Sequence, residues 1–99
     1  MAKLLTKIIT VKNRKTSMRL AKDEWEALEL ICAKESIKRD SLIELIETYK
    51  NSQIALTSSV RLFSTVYLYN LQVERDTPNY ASVKRNSSSP IFNAIKSIL

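Results

Sequence analysis

Residues 14–20 read Arg14-Lys15-Thr16-Ser17-Met18-Arg19-Leu20. Lys15, Ser17 and Arg19 alternate with Thr16, Met18 and Leu20, and a side-chain period of two is that of a β-strand with one polar and one more apolar face. The period changes at once downstream. From Lys22 to Glu35 the apolar residues Trp25, Leu28, Ile31 and Cys32 recur at three- and four-residue spacing, which predicts an amphipathic helix. Asp23 and Glu24 in its first turn suit the positive end of the helix dipole. ESIKRD (35–40) interrupts the pattern, and Leu42, Ile43, Leu45, Ile46 and Tyr49 resume it, predicting a second helix from about Arg39 to Lys50.

Upstream, KIITV (Lys7 to Val11) is rich in β-branched residues and KNRK separates it from the alternating run, so two short strands or one long interrupted strand fit. Asn13 suits a turn with positive φ, and the chain has no glycine to ease one. The pattern leaves open whether Lys7 to Val11 pairs with its own Thr16 to Leu20 or with another chain. Downstream, NSQIALTSS is a polar joint with Thr57 and Ser58 as capping candidates. Val60, Leu62, Phe63, Val66, Tyr67 and Tyr69 then predict a third helix, to about Asn70, whose nearly all-apolar face demands burial. ERDTPNYASVKRNSSSP reads as a flexible tail, and IFNAIKSIL at its end forms two helical turns only if something receives them. The expected organisation is a basic arm or short strand over 1–13, a core over 14–50, a third helix within 51–70 and a tail over 71–99.

Ninety-nine residues make one domain. Sixteen Lys and Arg against ten Asp and Glu give +6, and the charge is uneven. Residues 1–20 hold six basic and no acidic side chains (+6), 21–50 five and eight (−3), and 51–99 five and two (+3). A basic start favours a polyanionic partner. Cys32 is the only cysteine and histidine is absent, which excludes a disulfide framework, ordinary zinc ligation and histidine acid–base chemistry. No metal, cofactor or enzymatic activity is expected. Thr57, Ser58 and Ser59 have no histidine to activate them and read as a helix cap. Glu24, Glu26, Glu29, Glu44 and Glu47 read as solvated helix faces, and Arg61 as the partner of an acid such as Glu47 or of a phosphate. No apolar run approaches the ~20 residues that cross a bilayer, so a cytoplasmic protein without a membrane partner is expected. The first twenty residues are acid-free like a mitochondrial presequence, but Lys7 breaks their apolar block and the strand alternation leads straight into a helix, which favours folded use.

RKTSMRLAKDEWEALELICAKESIKRDSLIELI, Arg14 to Ile46, resembles the ribbon-helix-helix family of transcriptional repressors. The shared features are an alternating strand ending in Arg-Leu, a large apolar residue five positions later (Trp25), a short turn and a second apolar helix. LTSSVRLF, Leu56 to Phe63, is similar to the third helix of a bacterial subfamily. The resemblance implies a mainly α fold, N-terminal strand or strands followed by three helices, in an intertwined homodimer. The strands of two chains would pair antiparallel and enter the major groove of double-stranded DNA. Lys15, Ser17 and Arg19 would then face the bases, arginine forking to guanine O6 and N7, lysine reaching guanine or phosphate, and serine discriminating less. Met18, Leu20, Trp25, Leu28, Cys32, Leu42 and Ile46 would form the dimer core. Lys12, Arg14, Lys38 and Arg39 would meet phosphates, the last two at the start of the second helix, with Lys3 and Lys7 adding unspecific attraction. Two departures stand out: Lys38 where serine or threonine normally caps that helix, and Ser36 where glycine normally makes the turn. Competing readings are an edge strand whose charges only discourage aggregation, an antitoxin-like or adaptor module whose residues 71–99 fold on a partner protein, and peripheral membrane attachment through the basic start.

Overall fold

The computed structural model describes residues 3–76 and 89–99. Strands β1 (Leu4–Val11) and β2 (Arg14–Ala21) pair antiparallel within one chain, in the register Val11↔Arg14, Ile9↔Thr16, Lys7↔Met18 and Leu5↔Leu20. Lys12 and Asn13 connect them, both at positive φ (52° and 65°), as a two-residue type I′ turn requires. Asparagine tolerates that region, whereas the lysine Cβ crowds the following carbonyl. Lys12→Gly is therefore expected to raise stability by about 0.5–1 kcal/mol, the relieved crowding less the entropy glycine loses on folding. A urea titration checks this, and an unchanged or lower midpoint would show the turn to be unstrained.

Helix α1 (Lys22–Glu35) buries Trp25, Leu28, Ile31 and Cys32, the stripe its spacing predicts. It starts where Ala21 N–H donates to Glu24 Oε1 (2.8 Å), and stops at Ser36, which adopts left-handed backbone (φ 55°, ψ 44°) in place of a glycine. Helix α2 (Arg39–Tyr49) buries Leu42, Ile43 and Ile46, and its N-cap Lys38 supplies no side-chain bond. Helix α3 (Leu56–Asp76) runs past the predicted end near Asn70. It buries Val60, Phe63 and Tyr67, and the Tyr67 hydroxyl donates to the Glu35 carboxylate. Burial and that carboxylate push the Tyr67 pKa upward.

The last residues are part of the fold. Pro90 opens a short helix α4 (Pro90–Ile95), with Ser89 Oγ accepting from Phe92 N–H (3.1 Å). Phe92 meets Tyr49 edge-on at 5.9 Å, and Asn51 N–H donates to Ile98 O (2.6 Å). Packing against α3 provides the dock that so short a helix needs. The middle of the anticipated tail, residues 77–88, lies outside the described residues. One apolar cluster joins Ile9 of β1, the stripes of all three longer helices, and Ala94, Ile95 and Ile98. It includes Met18, Leu20, Trp25, Leu28, Cys32, Leu42 and Ile46, so a single chain buries all seven residues expected in an intersubunit core. Among the described residues no helix is long and apolar enough to cross a membrane.

Candidate nucleic-acid interface

Alternation along two paired strands sorts the hairpin into an inner and an outer face. The inner face carries Ile9, Met18 and Leu20 into the core. On the outer face lie Leu4, Thr6, Ile8 and Thr10 of β1 with Lys15, Ser17 and Arg19 of β2, cross-strand neighbours being Thr6 and Arg19, Ile8 and Ser17, Thr10 and Lys15. All seven are exposed. The side chains of Lys15, Ser17 and Arg19 make no hydrogen bond or ion pair within the described chain, and the face holds two cations and no acid. The three residues selected from the alternating run are thus together, unspent and outward. Thr6, Ile8 and Thr10 were not anticipated beside them, because their place on this face depends on a register that only the folded hairpin fixes.

The two edges of the hairpin differ as sharply. Residues flanking a two-residue turn form a hydrogen-bonded pair, so the even-numbered residues of β1 turn their backbone groups away from β2. There the side chains of α2 receive them: Thr10 N–H donates to Asp40 Oδ2 (3.0 Å), Lys12 N–H to Glu44 Oε1 (2.8 Å), and Arg39 Nη2 donates to Ile8 O (3.0 Å). The opposite edge, the backbone of Lys15, Ser17 and Arg19, meets no partner among the described residues. One edge is closed and the other is open to a further strand. Asp40→Ala is expected to lower unfolding free energy by about 1 kcal/mol through loss of the Thr10 bond; a denaturant midpoint equal to wild type would show the edge bond to contribute nothing.

Cations distribute in two groups. Lys12 and Arg14 are exposed at the hairpin tip, and Lys38 is exposed before α2. Lys38 cannot accept a hydrogen bond and its side chain does not cap the first turn of α2. Arg39 is more committed. Its Nε meets Asp40 Oδ1 at 3.0 Å, and its guanidinium lies 5.6 Å from the centre of the Trp25 ring. Lys7 turns inward, 5.2 Å from the same ring and 3.7 Å from Glu29. Trp25 Nε1 donates to Leu5 O (2.9 Å), so the indole ties α1 to β1 between two cations.

Several carboxylates read as solvated helix faces also make contacts within the chain, Glu29 and Glu44 while remaining exposed. Glu44 closes the β1 edge and Glu29 reaches Lys7. Glu24 holds Ala21 N–H and also stands 2.9 Å from Arg61 Nε. That last contact is an ion pair whose N–H is not aligned along it, and it replaces the expected Glu47 partner. Apart from the local Ala21–Glu24 bond, these pairings bridge 20 to 40 residues of chain, beyond what local spacing signals. Cys32 is buried, and burial followed by the Glu29 charge raises its thiol pKa against a smaller lowering by Arg39, which leaves it a poor nucleophile.

A family model described as a ribbon-helix-helix domain matches residues 4–68. No curated protein and no solved structure matches the chain.

Proposed function

The chain belongs to the ribbon-helix-helix domain family, whose domains are typical of DNA-binding transcription regulators, and from that membership we propose that it binds double-stranded DNA sequence-specifically as a homodimeric repressor. The observation that carries the reading is the outer face of the hairpin, an exposed, acid-free surface on which Lys15, Ser17 and Arg19 have no side-chain partner among the described residues. A major groove ~12 Å wide admits a two-stranded ribbon. The open edge of β2 supplies it: two copies add β2 to β2′ antiparallel about Ser17, so six side chains from the two chains cover the groove floor. With all seven core residues already closed over in each chain, the second copy contributes strand pairing and surface contact to a preformed unit. Lys12, Arg14, Lys38 and the N–H groups at the start of α2 meet phosphates. The Arg39 side chain contributes there mainly by holding the first turn of α2 against β1.

Binding rather than turnover is the chemistry. A partner protein for residues 71–99 receives less support, since residues 89–99 dock on the chain itself. Sizing the purified protein and selecting duplexes from a random pool at fixed salt tests the proposal. The expected results are a mass twice the 11.4 kDa of one chain and enrichment of a site with two-fold symmetry. A folded monomer at micromolar concentration that enriches no sequence would overturn it.

A further inference from the structure

We propose that the cavity between α1 and α3 binds a small neutral carbonyl compound with an aliphatic body. The cavity, about 170 Å³, is walled by Leu20 of β2, Ala27 of α1, and Val60 and Leu68 of α3. Among the described residues only two buried side-chain polar atoms lack a hydrogen-bond partner, Arg61 Nε and Ser64 Oγ, and both residues line this one cavity. They lie three apart on α3 and so share a face of the helix. Ser64 is only 8% exposed, and a buried hydroxyl without a partner is a costly exception in a folded chain, so a ligand that supplies the missing bond is favoured. The site lies on the inner side of the hairpin, apart from its outer face, and does not depend on duplex binding.

The donors and charges of the cavity select the ligand. Arg61 Nε–H can only donate and the Ser64 hydroxyl can donate, so the group they call for is an acceptor, and one carbonyl oxygen has two lone pairs to take both. That oxygen must be neutral. Glu24 already stands 2.9 Å from Arg61 Nε and Asp23 is exposed at the rim, so a carboxylate ligand would meet two like charges. Neither donor atom touches solvent; the Ser64 hydroxyl reaches an occupant by turning about one bond between staggered positions, and the Arg61 side chain, 41% exposed, follows. The remaining walls are apolar and receive the aliphatic body. A water, with ~30 Å³ of liquid volume and a need for two to four polar partners, would leave most of the space against those walls. Drug-sized ligands occupy about 300–1,000 Å³, so the occupant is closer to a single ring in size.

The test titrates the full-length protein with cyclohexanone and follows backbone amide signals by NMR. Saturable shifts centred on Leu20, Ala27, Ser64 and Leu68 are expected, with an affinity in the millimolar range, while cyclohexanecarboxylate, of similar shape but charged, is expected to leave those signals in place. Ser64→Ala is expected to bind cyclohexanone about fivefold more weakly, the loss of one hydrogen bond. Its melting temperature is expected to equal or exceed that of the wild type, because the substitution removes an unpartnered hydroxyl and alanine favours the helix. Absence of saturable shifts in the wild type, equal affinity in Ser64→Ala, or binding of the carboxylate as tight as that of the ketone overturns the inference. A lower melting temperature for Ser64→Ala overturns it as well, since the hydroxyl would then be paired, by water, in the free protein.

Discussion

Trp25→Ala is expected to lower the free energy of unfolding by about 3–5 kcal/mol, the range for deleting a buried tryptophan. Small domains have only about 5–15 kcal/mol in total, so the variant would sit near the edge of folding. Trp25 is 2% exposed, and three residues from two elements converge on it: Leu5 O of β1 accepts from its indole N–H, Lys7 stands over the ring from the same strand, and Arg39 approaches from α2. Truncation removes packing area, leaves a cavity, and strips two cations of their aromatic partner. Trp25→Phe separates these contributions. It retains a ring and loses the N–H, with an expected cost nearer 1–2 kcal/mol. Chemical denaturation followed by circular dichroism measures both. A cost below about 1 kcal/mol for the alanine variant would mean that the hairpin is not anchored on α1 through this residue.

Arg19→Ala has the opposite signature: little effect on folding and a large one on binding. Its side chain is exposed, opposite Thr6, without a partner among the described residues, so the stability change is expected within about 0.5 kcal/mol. A guanidinium forked on guanine contributes about 1–3 kcal/mol of discrimination, and a symmetric dimer loses two of them. The expected result is a weakening of about 2–6 kcal/mol on the selected duplex and a much smaller one on a scrambled duplex at the same salt. Arg19→Lys retains the charge without the fork, and is expected to recover the scrambled-duplex affinity while the preference stays reduced. Equal losses on both duplexes for Arg19→Ala would defeat the base-reading role.

The strand-helix-helix order was legible because each element announces its own period. Alternation at Lys15 to Leu20 and the three- and four-residue spacing of Trp25, Leu28, Ile31 and Cys32 are local properties of the chain, and the helix stripe they predict is buried within the chain. Ser36 was singled out only through the family resemblance, as the residue in the place of a turn glycine, and the chain takes left-handed backbone there at φ 55°. Helix α3 runs past the expected end near Asn70 because Leu71 still packs against the core and carries the helix on. The terminal IFNAIKSIL carried the right amphipathic signal but no indication of its receiver.

The sequence by itself determined which residues alternate and so which three polar side chains share a face of β2, since side-chain direction along one strand follows from backbone geometry. Tertiary structure decided what lies beside that face and which edge is open. A positive-φ turn at Lys12 and Asn13 folds β1 onto its own β2, bringing Ile8 level with Ser17, and Asp40, Glu44 and Arg39, some thirty residues away, close the outer edge of β1. Such contacts depend on the packing of α2 against the hairpin, and no periodicity in a chain encodes which distant carboxylate a backbone N–H will meet.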